Sequence, residues 1–231
     1  MMDIFIGYDP REASAYHTLC DSILRRTSAP VRIVPLFPNI CGVGQRDGSN
    51  TFTYSRFLVP HLMNYEGHAL YMDSDMLCFA DIAEVFALTS SRDELAVSCV
   101  KHDYETVAAK KYLGNKNENY PRKNWSSLML FNCAHELCRY LTPKIVKEVP
   151  GAILHRFKWC TDEHIGALPK EWNHLVGEQP LSSAAKIAHF TLGTPCFPDY
   201  YRSDYAKEWR DEFAQACRPV PQFFRNGDHG R

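Results

Sequence analysis

Asp73-Ser74-Asp75 follows directly on the apolar run Ala69-Leu70-Tyr71-Met72 and leads straight into Met76-Leu77. Two carboxylates so close together, where a buried strand meets its loop, are costly unless they are paired or hold a cation. Hard oxygen ligands at this spacing suit Mg²⁺ or Mn²⁺, ions that can also bind a substrate diphosphate. The same triplet fits a strand-end turn in which the aspartates accept backbone N–H groups. Tyr8 and Asp9 close the first apolar segment, where ligands bind in open α/β sheets. A Tyr ring there can stack on a pyrimidine and an Asp can accept a base N–H; a buried Tyr beside an Asp-Pro turn reads equally well. Arg56 has the fork to pair with the acidic triplet or with a diphosphate. His189 offers an imidazole, either to a metal or to a satisfied core contact.

Such groups need a scaffold to bring them together. Residues 3–8 and 31–36 read as strands around a helix over 11–26, whose Tyr16, Leu19, Cys20, Ile23 and Leu24 fall at helical spacing. Strand, helix, strand is a βαβ opening, which predicts a parallel sheet with helices on its faces. Residues 38–51 read as a loop. The pattern then predicts a helix over 54–63 kinked at Pro60, strands over 68–72, 95–100, 128–131 and 186–191, and a helix over 142–149. A further helix is expected over 161–168, with Thr161 as its N-cap and Asp162 and Glu163 in its first turn. An amphipathic helix over 204–217 carries Tyr205, Trp209, Phe213 and Cys217 four apart. The polar stretch 110–123 reads as a solvated loop, with a mobile flap as the alternative.

The bulk composition narrows the classes. The 231 residues, 45% of them hydrophobic, suffice for one large α/β domain. One domain over 1–217 is expected, with a poorly ordered tail over 218–231. A net charge of -1, from 26 Lys+Arg against 27 Asp+Glu, leaves no footprint for nucleic acid. No apolar run reaches the ~18 residues of a membrane span, and the start lacks the pattern of a signal peptide. The nine cysteines form no C-x-x-C pair, which fits a reduced compartment and no thiolate zinc site. The cytoplasm is the expected location.

Taken in order, several segments resemble the GT-A glycosyltransferases, particularly family 8, the glycogenin and lipopolysaccharide galactosyltransferase type. They are Ile6-Gly7-Tyr8-Asp9, Tyr54-Ser55-Arg56-Phe57-Leu58-Val59-Pro60, the 69–77 segment with its Asp-x-Asp, Leu130-Phe131-Asn132, Thr161-Asp162-Glu163, Leu168-Pro169-Lys170-Glu171-Trp172-Asn173 and His189-Phe190-Thr191-Leu192-Gly193. The resemblance covers roughly residues 3–200. It implies a GT-A-like single α/β domain with a central, mostly parallel mixed sheet flanked by helices and a Rossmann-like nucleotide-binding half. It implies a metal-dependent, retaining transfer of a hexose from a nucleotide diphosphate sugar, UDP-sugar in particular, to a hydroxyl of a glycan, small molecule or protein.

By the same resemblance Asp73, Asp75 and His189 would hold Mn²⁺ or Mg²⁺. Tyr8, Asp9, Arg56, Asp73, Ser74 and Gly193 would contact the donor. Asn132, Asp162 and Glu163 would stand near the reacting sugar, Asp162 on its hydroxyls or its oxocarbenium-like centre. Glu163 replaces the family's Gln; it reads as a nucleophile or as a first-turn acid, and a substrate-orienting role for the Asp162–Glu163 pair is the expectation. Trp125 and Ser127 fall on the acceptor side. The family's diphosphate-binding Lys after the late glycine is missing here. Backbone N–H groups around Gly193, or a cation from 110–123, would have to replace it.

Two other readings compete. A sugar nucleotidyltransferase normally has a Gly-rich loop and a basic residue after its first strand, which Gly7-Tyr8-Asp9-Pro10-Arg11 matches poorly. A catalytically inactive sugar-nucleotide or glycan-binding module would have no need for Asp73, Asp75 and His189 together.

Overall fold

β1 (Met2–Gly7) sends Ile4 and Ile6 to one face and Phe5 to the other. β3 (His68–Met72) does the same, with Leu70 and Met72 joining the isoleucines and Ala69 and Tyr71 joining Phe5. In β6 (Leu128–Asn132) Leu128 and Leu130 oppose Met129 and Phe131 in the same way. Side chains alternate along a strand, so apolar residues in both sets mean that both faces of the sheet are covered. The computed structural model describes residues 1–44, 52–88, 93–111 and 114–218.

Three more strands complete the main sheet: β2 (Val31–Leu36), β5 (Val97–Cys99) and β7 (Ile165–Ala167), in the order β2-β1-β3-β6-β5-β7. β1 is parallel to β2 and β3, and β5 to β7; β6 is antiparallel to β3 and β5. The result is the mostly parallel, helix-flanked α/β sheet that the βαβ opening predicts. α1 (Ala13–Leu24) is the first crossover and buries Leu19 and Ile23 on the Ile4/Ile6 face. α2 (Val59–Leu62) buries Val59 on the opposite face. α3 (Ala83–Ala87) adds Val85 to the Ile4/Ile6 side. α4 (Pro143–Glu148) and α5 (Gly151–His155) add Val146 and Leu154 to the other.

A small second sheet follows the acidic triplet. β4 (Met76–Cys78), β8 (His174–Leu175) and β9 (Ile187–His189) lie in the order β4-β9-β8. α6 (Ala206–Ala216) seals it by packing Trp209 against Leu77, Ala188 and Phe190. Five cysteines, Cys78, Cys99, Cys133, Cys138 and Cys160, are buried thiols that pack as small hydrophobes. No helix among the described residues is long and apolar enough to cross a membrane.

Two expectations change. Residues 54–63 form a 3₁₀ turn, Ser55–Leu58, that runs on into α2. Pro60 lies in the first turn of α2, where its missing N–H has no partner to lose, so it starts the helix and does not kink it. Residues 161–168 are not a helix: a short 3₁₀ turn, Asp162–His164, gives way to β7, and Thr161 makes no side-chain cap. Pairing with β5 overrides the local helix signal here. Gly166 permits that pairing, because a Cβ on it would stand 2.4 Å from Ser98 Oγ and 2.5 Å from Leu95 Cδ1. Within the expected loop 38–51, Ile40–Gly42 forms a 3₁₀ turn; residues 45–51, like the tail 219–231, lie outside the described residues.

Candidate functional site

The register between β4 and β9 builds the site. Met76 pairs with His189, and Phe190 N–H donates to Asp75 O at 2.8 Å, so the imidazole is delivered beside the acid that precedes β4. His189 Nε2 lies 3.3 Å from Asp75 Oδ1. One ligand atom from each of Asp73, Asp75 and His189 falls within 4.8 Å of the others. Asp73 is held from below: its N–H donates to Ser127 O at 2.9 Å, and its carboxylate accepts from Tyr71 Oη at 2.5 Å. Arg56 Nη1 stands 3.0 Å from Asp73 Oδ1. Only 5% exposed, Arg56 also donates to Thr53 O at 3.1 Å and to Ser126 O at 2.9 Å.

The donor set fits a divalent cation. Asp75 Oδ1 is buried and accepts no hydrogen bond among the described residues, because the His189 contact is close but not aligned as one. A buried carboxylate oxygen without a donor, set between a second carboxylate and an imidazole, is what a hard cation with one nitrogen ligand would satisfy. Burial pushes the Asp73 carboxyl above its usual range against the pull of Arg56. A bound cation would oppose that rise.

Asp73, Asp75 and His189 line one wall of an open cavity of about 590 Å³. Arg56, Lys111, Lys116, Lys123 and Arg156 also line it, and they outnumber its carboxylates Asp73, Asp75 and Glu118. The cavity is therefore suited to an anion. Burial holds the Lys111 ammonium below its usual range, against the pull of Asp75 and Asp73. His155 is kept neutral, its pKa lowered to about 3 by burial and then by Arg56 and Lys111.

The stretch 110–123 is more than a solvated loop, since much of it forms this cavity wall. It is also tied down. Asn117 Nδ2 donates to Ala108 O and Glu178 Oε1, each at 2.8 Å, and Lys123 Nζ donates to Asn117 Oδ1 at 2.5 Å.

Most other residues singled out from the sequence lie off the cavity wall. Because β6 is antiparallel to β3, Leu128 stands beside Met72 at the acidic end and Asn132 beside His68 at the far end. Four residues of strand, ~14 Å, separate Asn132 from that end, and its amide donates to Asp93 O at 3.1 Å. The side chains of Asp162 and Glu163 are 80% and 77% exposed, and Asp162 pairs with Arg122 at 2.6 Å. Ser74 is buried. Tyr8 sits at the end of β1 with its ring against Tyr16 and Phe37. Asp9 is buried, caps the turn after β1 and accepts from Arg11 Nη2 at 2.6 Å. Gly193 N–H is spent on Phe190 O at 2.8 Å. Trp125 lies off the wall, whereas Ser127 lines it.

Lys111, Lys116 and Lys123 come from the 110–123 stretch expected to supply a cation, and the structure adds Asn124, Ser126, His155 and Arg156 to the wall. The only signal for Asn124 and Ser126 was their place just before an apolar strand, and it becomes informative only once the direction of β6 is known.

No protein-family model matches the chain. Over 224 residues it is 41% identical to Protein CDI of Arabidopsis thaliana, an alignment that covers 92% of this chain and 86% of that protein. Among solved structures it is similar to the glycosyltransferase GlyE of Streptococcus pneumoniae TIGR4, with a TM-score of 0.62 at 14% identity over 92% of this chain and 61% of that one. An active-site mutant of LgtC gives a TM-score of 0.60 at 13% identity over 97% and 99% of the two chains. LgtC is a galactosyltransferase also solved with donor and acceptor sugar analogues. The bifunctional glycosyltransferase WbbM gives 0.58 at 17% identity, and this chain spans only 49% of its length. At such identities the likeness is one of fold, and the fold is that of the GT-A glycosyltransferases. By its sequence, the chain belongs to the family of Protein CDI.

Proposed function

We propose that this protein is a metal-dependent glycosyltransferase that moves a sugar from a nucleotide diphosphate sugar to a hydroxyl acceptor. The observation that carries the proposal is the convergence of Asp73, Asp75 and His189 on the wall of a cavity rich in cationic side chains. The GT-A fold supports it. In this reading Asp73, Asp75 and His189 hold Mn²⁺ or Mg²⁺, which when bound acts as a Lewis acid toward the departing diphosphate. The chain's own groups do the rest. Arg56 is enclosed by Thr53, Ser126 and Asp73, so it orients the Asp73 carboxylate. Lys111, in the same cavity as both acids, takes the place of the missing phosphate-binding lysine and meets the diphosphate. Tyr8 and the half-exposed Phe37 offer an aromatic surface to the base at the carboxyl ends of β1 and β2. The 110–123 wall limits water at the leaving group.

The finer assignments rest on the family 8 resemblance: a UDP-sugar donor, a hexose, retention of configuration and a glycan or other hydroxyl acceptor. A thermal-shift screen of UDP-, GDP-, ADP- and CDP-sugars with and without Mn²⁺ tests the proposal. A ligand at 100 times its Kd raises stability by ~2.7 kcal/mol. Metal-dependent stabilisation by UDP-sugars is the expected result. If no nucleotide sugar stabilises the protein in the presence of Mn²⁺, the proposal fails.

A further inference from the structure

Asn173 is completely buried behind His189. It ends a 3₁₀ turn, Lys170–Asn173, and the parallel pairing of His174 with Ala188 holds that turn against β9. Its Oδ1 lies 2.9 Å from His189 Nδ1. Its Nδ2 donates to Ser127 Oγ at 2.9 Å and reaches Asn124 O at 3.4 Å. Ser127 Oγ in turn donates to Asn124 O at 2.7 Å. The single hydroxyl proton of Ser127 is thereby committed, so its oxygen must accept from Asn173.

This chain of hydrogen bonds fixes which way the carboxamide points. Turned around, Oδ1 would face the Asn124 carbonyl, which only accepts, and could be satisfied only by drawing the Ser127 proton away from Asn124 O. Oδ1 therefore faces the ring, and Nδ1 must carry a hydrogen to donate to it. In a neutral imidazole the lone pair is then on Nε2, the nitrogen 3.3 Å from Asp75 Oδ1.

We propose that Asn173 is a positioning residue: it locks the ring plane of His189 and its Nδ1–H tautomer, so that the Nε2 lone pair faces the two carboxylates before any ion arrives. The inference rests on the reading that Asp73, Asp75 and His189 hold a cation. Outer hydrogen bonds of this kind fix ligand orientation and raise ligand basicity, and their loss typically costs ~10–100-fold in metal affinity. Asn124 and Ser127 also line the cavity, so the brace joins the His189 ring to the turn that precedes β6.

Two measurements on the full chain test this. The first is a Mn²⁺ titration followed by electron paramagnetic resonance for wild type, Asn173→Ala and Asn173→Asp. The second is the ¹⁵N shift pattern of the His189 ring without metal, well above the imidazole titration range, which reports the tautomer directly. Wild type should show the Nδ1–H form. Asn173→Ala should mix the tautomers and weaken Mn²⁺ binding ~10–100-fold. Asn173→Asp keeps an acceptor at Nδ1 and nearly the same volume. It should recover most of the affinity together with the Nδ1–H ring, and because packing alone would not set the tautomer, the two readouts together separate orientation from packing. An Nε2–H ring in wild type, or unchanged Mn²⁺ affinity in Asn173→Ala, would overturn the positioning role and leave the cation site standing. Should Asn173→Ala fail to fold, the wild-type tautomer decides together with Asn173→Asp: an Nδ1–H ring and retained affinity support the role, and an Nε2–H ring refutes it. Failure of wild type itself to bind Mn²⁺ would instead refute the cation site on which the inference rests.

Discussion

His189 Nε2 stands 3.3 Å from Asp75 Oδ1 because a three-stranded sheet pairs His189 with Met76. A one-residue slip of β9 would turn His189 to the opposite face and bring a neighbour against the acids. The small sheet thus fixes one side of the site, while β3 and Arg56 fix the other. Trp209 of α6 packs against Ala188 and Phe190, the two neighbours of His189. That packing protects the register.

Asp75→Ala should abolish stabilisation by Mn²⁺ yet leave the metal-free protein nearly unchanged. Asp75 Oδ1 has no hydrogen bond to lose, and removing a carboxylate next to Asp73 relieves repulsion. The expected change without metal is within ~1 kcal/mol, or ~2–4 °C in Tm. Calorimetric scans with and without Mn²⁺ read both effects. A Mn²⁺-dependent shift equal to that of wild type would remove Asp75 from the ligand set.

Arg56→Ala should be far more damaging to the fold. It leaves Asp73 buried beside Tyr71 without its guanidinium, and it empties a site where Arg56 lies 5.0 Å from the Tyr71 ring centroid and 5.7 Å from that of Phe52. Removing one partner of a buried ion pair costs ~3–5 kcal/mol. Arg56→Lys should recover only part of this, since a single ammonium cannot reach Thr53 O, Ser126 O and Asp73 together. Urea unfolding of the two variants measures the difference; a loss below ~1 kcal/mol for Arg56→Ala would mean that the pair is not buried in solution.

Asp73 and Asp75 were legible from the sequence because two acids at the end of an apolar run stand out against burial, whereas His189 was picked out by the resemblance of its segment to family 8 and not by its spacing. The boundaries of β1, β2 and β3 were legible as short apolar, β-rich runs with turn residues after them. Strand direction was not. Nothing in Leu128-Met129-Leu130-Phe131-Asn132 reveals that it runs antiparallel to β3, and that direction carries Asn132 away from the acids and brings Asn124 and Ser127 to the cavity. Thr161-Asp162-Glu163 carries the local marks of a helix start. Only the long-range pairing of Ile165 with Val97 makes residues 165–167 a strand. His155 and Arg156 reach the cavity through tertiary packing that no local spacing encodes, and which cation of 110–123 would face the acids was equally hidden.

Lys111→Ala should separate nucleotide binding from metal binding. Lys111 lines the cavity, and its ammonium feels both Asp75 and Asp73. Deleting it removes attraction for a diphosphate, so UDP affinity should fall by ~10-fold, about 1.4 kcal/mol. Deleting the same charge also removes repulsion toward a divalent cation, so Mn²⁺ affinity should hold or rise. Titration calorimetry with each ligand in turn measures the two signs. A parallel fall in both affinities would show that Lys111 shapes the cavity through packing and not through charge.

Asp21→Asn should stabilise the protein at neutral pH and lose that advantage in acid. Asp21 on α1 faces Glu212 on α6, with Arg25 and Arg26 as the neighbouring cations. Burial, and then the neighbouring Glu212, which can accept a hydrogen bond from the protonated form and repels the ionised one, raise the Asp21 carboxyl above its usual range despite both arginines. A carboxyl that holds its proton more tightly when folded contributes stability in full below its unfolded pKa of ~3.9, and that contribution is lost as pH rises through the folded value. At pH 7 the ionised Asp21 is therefore a net liability, one that the neutral amide removes. The gain should be no more than ~1 kcal/mol, because Asp21 keeps some solvent and the arginines offset part of the repulsion. Tm profiles of the two proteins should converge as pH falls toward that of the free carboxyl. A variant less stable than wild type at neutral pH would show that Arg25 and Arg26 outweigh Glu212, and that the ionised pair braces the α1–α6 contact.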